Sequence, residues 1–226
     1  MTRLWPPATA ILGVATLAIL IAFSVLPDVR AAYPNGDFAI ALNAFQHAAT
    51  PSDLAAVFDT PADPGKLRAM TAGNTLDLFG FIPAYGLFLV AGIMLLGGDL
   101  KNPLAFVAMA LAGIGVAGDI VETSRQLAMT TNWAHAEPLL PIAPWCWTKF
   151  FGLAGAALAI SAICFTGERK RWILGVLGVL PILVVSADAL HVLPAPALMT
   201  AVFGAFWIAL LVVGILETVR ARGASA

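Results

Sequence analysis

The chain has 226 residues, of which 60% are hydrophobic and 11% are charged, and its mean hydropathy is +0.91. Soluble domains carry about a quarter charged residues, so this composition indicates a protein whose main solvent is lipid. The formal net charge is -1, and no run of five like charges occurs in the sequence. This excludes the basic surface that a nucleic-acid-binding protein needs.

Six apolar runs have lengths suited to crossing the roughly 30 Å hydrocarbon core of a bilayer as helices. We therefore predict an all-α, polytopic transmembrane bundle that forms one membrane domain over residues 1–226. The first run follows Arg3, so a cleaved signal peptide is the competing interpretation of that segment. The predicted spans are 9–26, 76–96, 103–121, 148–165, 172–192 and 197–216.

Basic residues cluster at the N-terminus, in every second loop between the predicted spans, and at the C-terminus. Short loops rich in Lys and Arg stay on the cytoplasmic side of a membrane. The pattern predicts a bacterial-type inner membrane protein with both termini in the cytoplasm. The residues assigned to the cytoplasmic side are Arg3, Lys101, Arg169, Lys170, Arg171, Arg220 and Arg222.

The long loop between the first two spans, residues 27–75, is predicted to lie outside. Apolar and polar positions alternate at helical spacing over 37–58, which predicts two short amphipathic helices. Thr50 before Pro51 is typical of an N-cap followed by a first-turn proline. The apolar side of the first helix would face the membrane or the bundle. Its residues are Phe38, Ala41, Leu42 and Phe45.

Ionisable residues lie at the outer ends of four predicted spans. Such groups within membrane segments are costly and normally face a bundle interior or a water-filled cavity. A shared pocket is therefore expected, with acid-base or catalytic candidates Asp77, Asp119, Glu122 and Lys149. The candidates for ligand binding are Asn43, Gln46, His47, Tyr85, Arg125, Asp188 and His191.

Two pairs in this set, Asp119 with Glu122 and Asp188 with His191, have i,i+3 spacing, so each pair shares a helix face. The same groups have a purely structural interpretation, in which Lys149 or Arg125 pairs with the carboxylates and fixes the helix register. No compact metal motif directs the choice between these alternatives. The sequence assigns neither a metal nor a cofactor.

Several short motifs resemble a group of uncharacterised bacterial polytopic membrane proteins. In that group an acidic residue is followed three positions later by Glu and then by Asn. This chain matches the group's pattern over residues 37–167, except that Thr123 stands in the place of the Asn. The resemblance implies the same fold class and cluster, and carries no activity with it. The matching residues are Phe45-Gln46-His47-Ala48-Ala49-Thr50-Pro51, Leu76-Asp77-Leu78-Phe79, Ala84-Tyr85, Gly118-Asp119-Ile120-Val121-Glu122 and Lys149.

Three functions are compatible with these patterns. The first is a pocket at the outer leaflet that binds or acts on a lipid-like or apolar small molecule. The second is a non-enzymatic accessory or assembly subunit of a membrane complex. The third is an ion- or proton-coupled transporter, which would need polar groups nearer the membrane midplane. The expected partners are membrane lipids, together with another membrane protein or a further copy of this chain.

Overall fold

A computed structural model describes residues 4–167, 169–192 and 196–223, and it is 84% helical with no strand among them. Six of its helical segments are long and apolar enough to cross a membrane, which confirms the all-α polytopic prediction. The α-helices are α1 Trp5–Phe23, α2 Pro27–Ala32, α3 Phe38–Gln46, α4 Pro51–Phe58, α5 Pro64–Leu76, α6 Ile82–Gly97, α7 Pro103–Thr131, α8 Ala143–Thr166, α9 Trp172–Ala189 and α10 Pro196–Gly223.

The chain divides into two compact units. The first contains the described residues of Met1–Thr16, Ala84–Val116 and Phe150–Ala226, and the second contains Leu17–Pro83 and Ala117–Lys149. Each unit is assembled from segments that are distant in sequence.

Close backbone packing of glycines characterises the first unit. A Cβ atom placed on Gly152 of α8 would lie 2.5 Å from the backbone nitrogen of Gly115 on α7. No side chain fits into that gap. Small residues let helix backbones approach closely in lipid, and these two glycines do so here.

The second unit has its own hydrophobic core, which the short loop helices help to build. Phe45 of α3 and Phe58 of α4 are fully buried, with their ring centroids 4.9 Å apart at an interplanar angle of 90°. The predicted amphipathic helices are therefore present, and their apolar faces fill this core. Its buried members are Val29, Phe38, Phe45, Ala48, Leu54, Val57, Phe58, Ala69, Met70, Met129, Ala136 and Ile142.

Two of the long helices extend well beyond the apolar runs. The second spanning helix begins at Pro64, where the Asp63 side chain accepts a 2.8 Å hydrogen bond from the N–H of Lys66 and caps α5. The third continues to Thr131. These added turns are polar on average, but Ala69, Met70 and Met129 enter the core of the second unit. Tertiary packing therefore supports helix where hydropathy alone does not.

A capping box starts α4. The side chain of Thr50 accepts from the N–H of Asp53, and Asp53 Oδ2 accepts from the N–H of Thr50 at 2.8 Å. A further hydrogen bond from the N–H of Ala49 is the largest of the effects that hold the pKa of Asp53 below its ordinary value. The stabilisation from the ionised carboxylate is therefore complete at neutral pH and is lost as the pH falls through the lowered pKa.

We expect Asp53→Asn to lower the unfolding temperature at neutral pH and to make progressively less difference in acid. The N-cap interaction as a whole is worth about 1 kcal/mol, and its charged part disappears when the wild-type carboxylate is protonated. Thermal unfolding in a neutral detergent across the acidic range would measure this. Asp37→Asn is the matched control, because Asp37 occupies the N-cap of α3 without a side-chain capping bond. A difference that does not change with pH would contradict the prediction.

Candidate functional site

A buried ion network lies within the second unit. Lys149 Nζ of α8 is 2.8 Å from Glu122 Oε2 and 3.3 Å from Asp119 Oδ1. The exposed fractions of Lys149, Asp119 and Glu122 are 5%, 4% and 0%. Both carboxylates project from one face of α7 because they are three residues apart. The predicted pairing of Lys149 with these carboxylates is present.

Gly118 lets α7 and α8 come close enough for this network to form. A Cβ atom on Gly118 would lie 2.8 Å from the backbone nitrogen of Lys149 and 3.1 Å from Thr148 Cγ2. The glycine directly precedes Asp119, so a close approach of the two helices lies beside the ion network. Backbone contact thereby fixes the position from which the lysine side chain extends.

Asp77 joins the network through an irregular turn. Residues Asp77–Phe81 form a π-helical turn, in which the N–H of Ile82 donates to the carbonyl oxygen of Asp77. Pro83 follows, has no N–H, and disfavours the regular helical pattern before it. Such turns occur often at functional positions. Here the turn places Asp77 Oδ2 3.1 Å from the donating hydroxyl of Thr123.

Electrostatic interactions also join Asp77 to Asp119, Glu122 and Lys149. The structure therefore gathers the four residues that the sequence proposed as acid-base candidates. They amount to three carboxyl groups against one ammonium group, so full ionisation would leave two excess negative charges. A buried ion without a counter-charge costs several kcal/mol. Bound protons or a cationic ligand would relieve that excess.

Neutral polar side chains surround the network, and sequence patterns did not single out two of them. Gln126 Nε2 donates to Glu122 Oε1 at 3.4 Å, one turn along α7, and Thr123 bonds to Asp77 as described above. Both residues are buried, at 1% exposure. Gln126 follows Glu122 by four residues and Thr123 follows Asp119 by four residues, so helical spacing to a candidate carboxylate is the signal that could have found them. Gln46 at the end of α3, a predicted residue, lies close enough to Glu122 to interact with its carboxylate.

His47 connects the loop helices to the start of α8. Its Nδ1 is 2.9 Å from the carbonyl oxygen of Asn43, and its Nε2 is 3.8 Å from Cys146 Sγ. The imidazole also packs edge-on against Trp147, with ring centroids 5.1 Å apart. The Asn43 carbonyl can only accept, so Nδ1 carries the proton and the Nε2 lone pair faces the thiol in neutral His47. The sequence patterns indicated His47 and Asn43 as site residues but not Cys146 or Trp147.

His47 also lines a cavity of about 400 Å³ in the loop, which we call the loop cavity. That volume lies within the range of small-molecule sites. The lining combines acidic, basic and aromatic groups with small apolar side chains, so it could hold an amphipathic molecule. The lining residues are Tyr33, Asp37, Ile40, Ala41, Ala44, His47, Asp53, Ala56, Val57 and Lys66.

Three predicted site residues belong to the first unit. Tyr85 is buried and stacks on Trp207 with a centroid distance of 5.3 Å. Asp188 lies half-buried near the end of α9, and its carbonyl accepts a 2.9 Å hydrogen bond from the N–H of exposed His191. A ligand-binding role for these residues stays a prediction. The same holds for Arg125, which is half-buried on α7 in the second unit.

Over the described ranges, no group of three or more His, Cys, Asp or Glu side chains is arranged to hold a metal ion. No family model, no curated protein and no solved structure matches the chain.

Proposed function

We propose that this chain binds a lipid-like, amphipathic small molecule in the loop cavity, beside the buried ion network of its second unit. The observation that carries the proposal is the cavity itself, because about 400 Å³ of space meets charged and apolar side chains together. His47 links it to the network, since this residue lines the cavity and contacts Cys146 three residues before Lys149. A ligand there would lie against His47, a side chain that can exchange a proton.

The distribution of basic residues supports a placement of this protein in a bacterial inner membrane, with the loop cavity on the outer side. Arg169 and Arg171 between α8 and α9 both pair with Glu217 near the end of α10, at 3.2 Å. Short loops rich in Lys and Arg stay on the cytoplasmic side of a membrane, which supports a cytoplasmic position for the loop between α8 and α9. The ligand would then reach the cavity from the outer leaflet or from the outer aqueous phase.

Filling the cavity should remove the ligand while leaving the fold intact. We expect Ala44→Trp to abolish or greatly reduce lipid retention, because Ala44 is exposed and lines the cavity. Ala39→Trp is the matched control, since Ala39 lies on the same helix, is also exposed, and does not line the cavity. Native mass spectrometry of protein purified in a mild neutral detergent would measure retained molecules. Equal retention in both variants would refute the proposal.

A structural role in assembly is the second candidate. The observation that favours it is that Lys149 already contacts both Asp119 and Glu122 in a buried setting. Replacing an entire buried ion network by well-packed apolar groups of similar volume is often neutral or stabilising. If the variant Asp119→Leu, Glu122→Met, Lys149→Met keeps both its stability and its retained ligand, the network serves only to hold the helices. Loss of the ligand at unchanged stability would assign it to binding.

A further inference from the structure

We propose that the loop cavity selects a cationic amphipath, a molecule that carries an ammonium group on an apolar body. This inference rests on the proposed function, because it names the class of molecule for the same cavity. The charge of the ligand can be tested separately from whether the cavity binds a ligand at all.

The residues that line the cavity carry more negative than positive charge. Lys66 Nζ lies 2.9 Å from the carboxylate of Asp59, so its positive charge is already paired. Asp37 and Asp53 contribute two further carboxylates, and neither forms an ion pair with any residue that the structure describes. The cavity therefore has an excess of negative charge. An ammonium group would offset that excess, whereas a carboxylate or phosphate group would add to it.

The Asp37 carboxylate is available for such a contact. Asp37 precedes α3 without a side-chain capping bond, and only its backbone carbonyl takes part, in hydrogen bonds from the N–H groups of Ile40 and Ala41. The Asp53 carboxylate, by contrast, uses Oδ2 in the capping box. Replacing Asp37 would therefore test ligand binding directly, whereas replacing Asp53 would also disturb the cap of α4.

The side chain of Tyr33 could also contact an ammonium group. Its hydroxyl oxygen is buried and has no hydrogen-bond partner among the described residues. Burial, followed by the negative charges of Asp59 and Asp63, raises the pKa of Tyr33 to about 12, so the phenol stays neutral. A buried hydroxyl normally finds a partner, and a ligand in the cavity would supply one. The aromatic face also attracts an ammonium group.

The remaining lining residues would hold the apolar body. Ile40, Ala41 and Ala44 line the cavity from α3, and Ala56 and Val57 line it from α4. The three alanines leave space that larger side chains would fill. A short alkyl chain would pack against these side chains, while its charged end would contact Asp37 and Tyr33.

Three probes of equal chain length would test the inference on the full-length protein in neutral maltoside micelles. These are octylammonium, octanol and octanoate, each titrated calorimetrically against protein with protein-free micelles as the blank. We expect octylammonium to bind about tenfold more tightly than octanol, the effect of one charge-assisted contact, and octanoate to bind weakest. Equal affinities would overturn the charge preference and leave the proposed function standing. Failure of all three to bind would count against the proposed function itself.

Two variants locate the effect. Asp37→Asn should weaken octylammonium binding roughly tenfold and leave octanol binding unchanged, since only a charged contact is lost. Asp28→Asn is the matched control, because Asp28 is exposed in the same loop and does not line this cavity. Equal losses in the two variants would overturn the assignment to Asp37. An amine-headgroup lipid retained in native mass spectra would identify the membrane as the source, and a lipid-free protein that binds octylammonium would identify a soluble amine.

Discussion

Replacing Lys149 by methionine should destabilise the protein by about 3–5 kcal/mol, because it leaves the Asp119 and Glu122 carboxylates buried without their cation. Methionine keeps much of the length and apolar stem of lysine, so the loss of charge dominates the effect. Thermal or denaturant unfolding in neutral detergent would measure the change. Lys101→Met is the control, since Lys101 is exposed and its replacement should alter stability by less than about 0.5 kcal/mol.

Further substitutions at the two carboxylates should restore the stability lost in Lys149→Met. Adding Asp119→Leu and Glu122→Met to Lys149→Met replaces the remaining charges by apolar groups, and stability should return close to that of the wild type. Non-additivity of this kind is expected for groups in one network. A single Lys149→Met variant as stable as the wild type would show that the carboxylates do not depend on this lysine.

Gly118→Ala should also be strongly destabilising, by roughly 1–3 kcal/mol, the usual range for overpacking. The new methyl group would meet the backbone nitrogen of Lys149 at 2.8 Å, and backbone cannot move aside as a flexible side chain can. Separation of α7 from α8 would also lengthen the contacts of Lys149 with both carboxylates. Unfolding measurements, together with ligand retention, would report both effects.

Gly113→Ala provides the opposite expectation on the same helix. Apart from the neighbouring backbone of its own helix, no atom of the described chain lies within 4 Å of a Cβ placed on Gly113, so alanine meets no obstacle. Alanine in a helix interior is favoured over glycine by about 1 kcal/mol, and the variant should be slightly more stable. Equal effects at Gly113 and Gly118 would refute the role of close packing beside the network.

Hydropathy and charge spacing were enough to predict the fold class and the meeting of Asp119, Glu122 and Lys149. Each of these signals is strong in a single sequence, because lipid excludes polar groups from most helix positions. The loop helices were also predicted, since the capping signal at Thr50 is local.

The parts that sequence patterns missed depend on contacts between distant segments. Residues 64–76 are polar on average and were assigned to the loop, yet Met70 enters a core with Phe45 and Phe58 and the segment is helical. The contact of Cys146 with His47 joins residues 99 positions apart. A single sequence contains no signal that these two residues are in contact. The unpartnered hydroxyl of Tyr33 is likewise visible only once its surroundings are known.

The division of the second unit along the chain has a consequence for biosynthesis. Its acidic residues on α7 are made before Lys149, which is the 27th residue after Glu122. At roughly 5–20 residues per second, the ribosome needs about 1–5 s to supply the counter-charge. Throughout that interval the nascent chain carries Asp77, Asp119 and Glu122 without their lysine partner. Insertion machinery or bound protons must shelter these carboxylates until α8 arrives, so translation speed over residues 123–149 should affect the yield of folded protein.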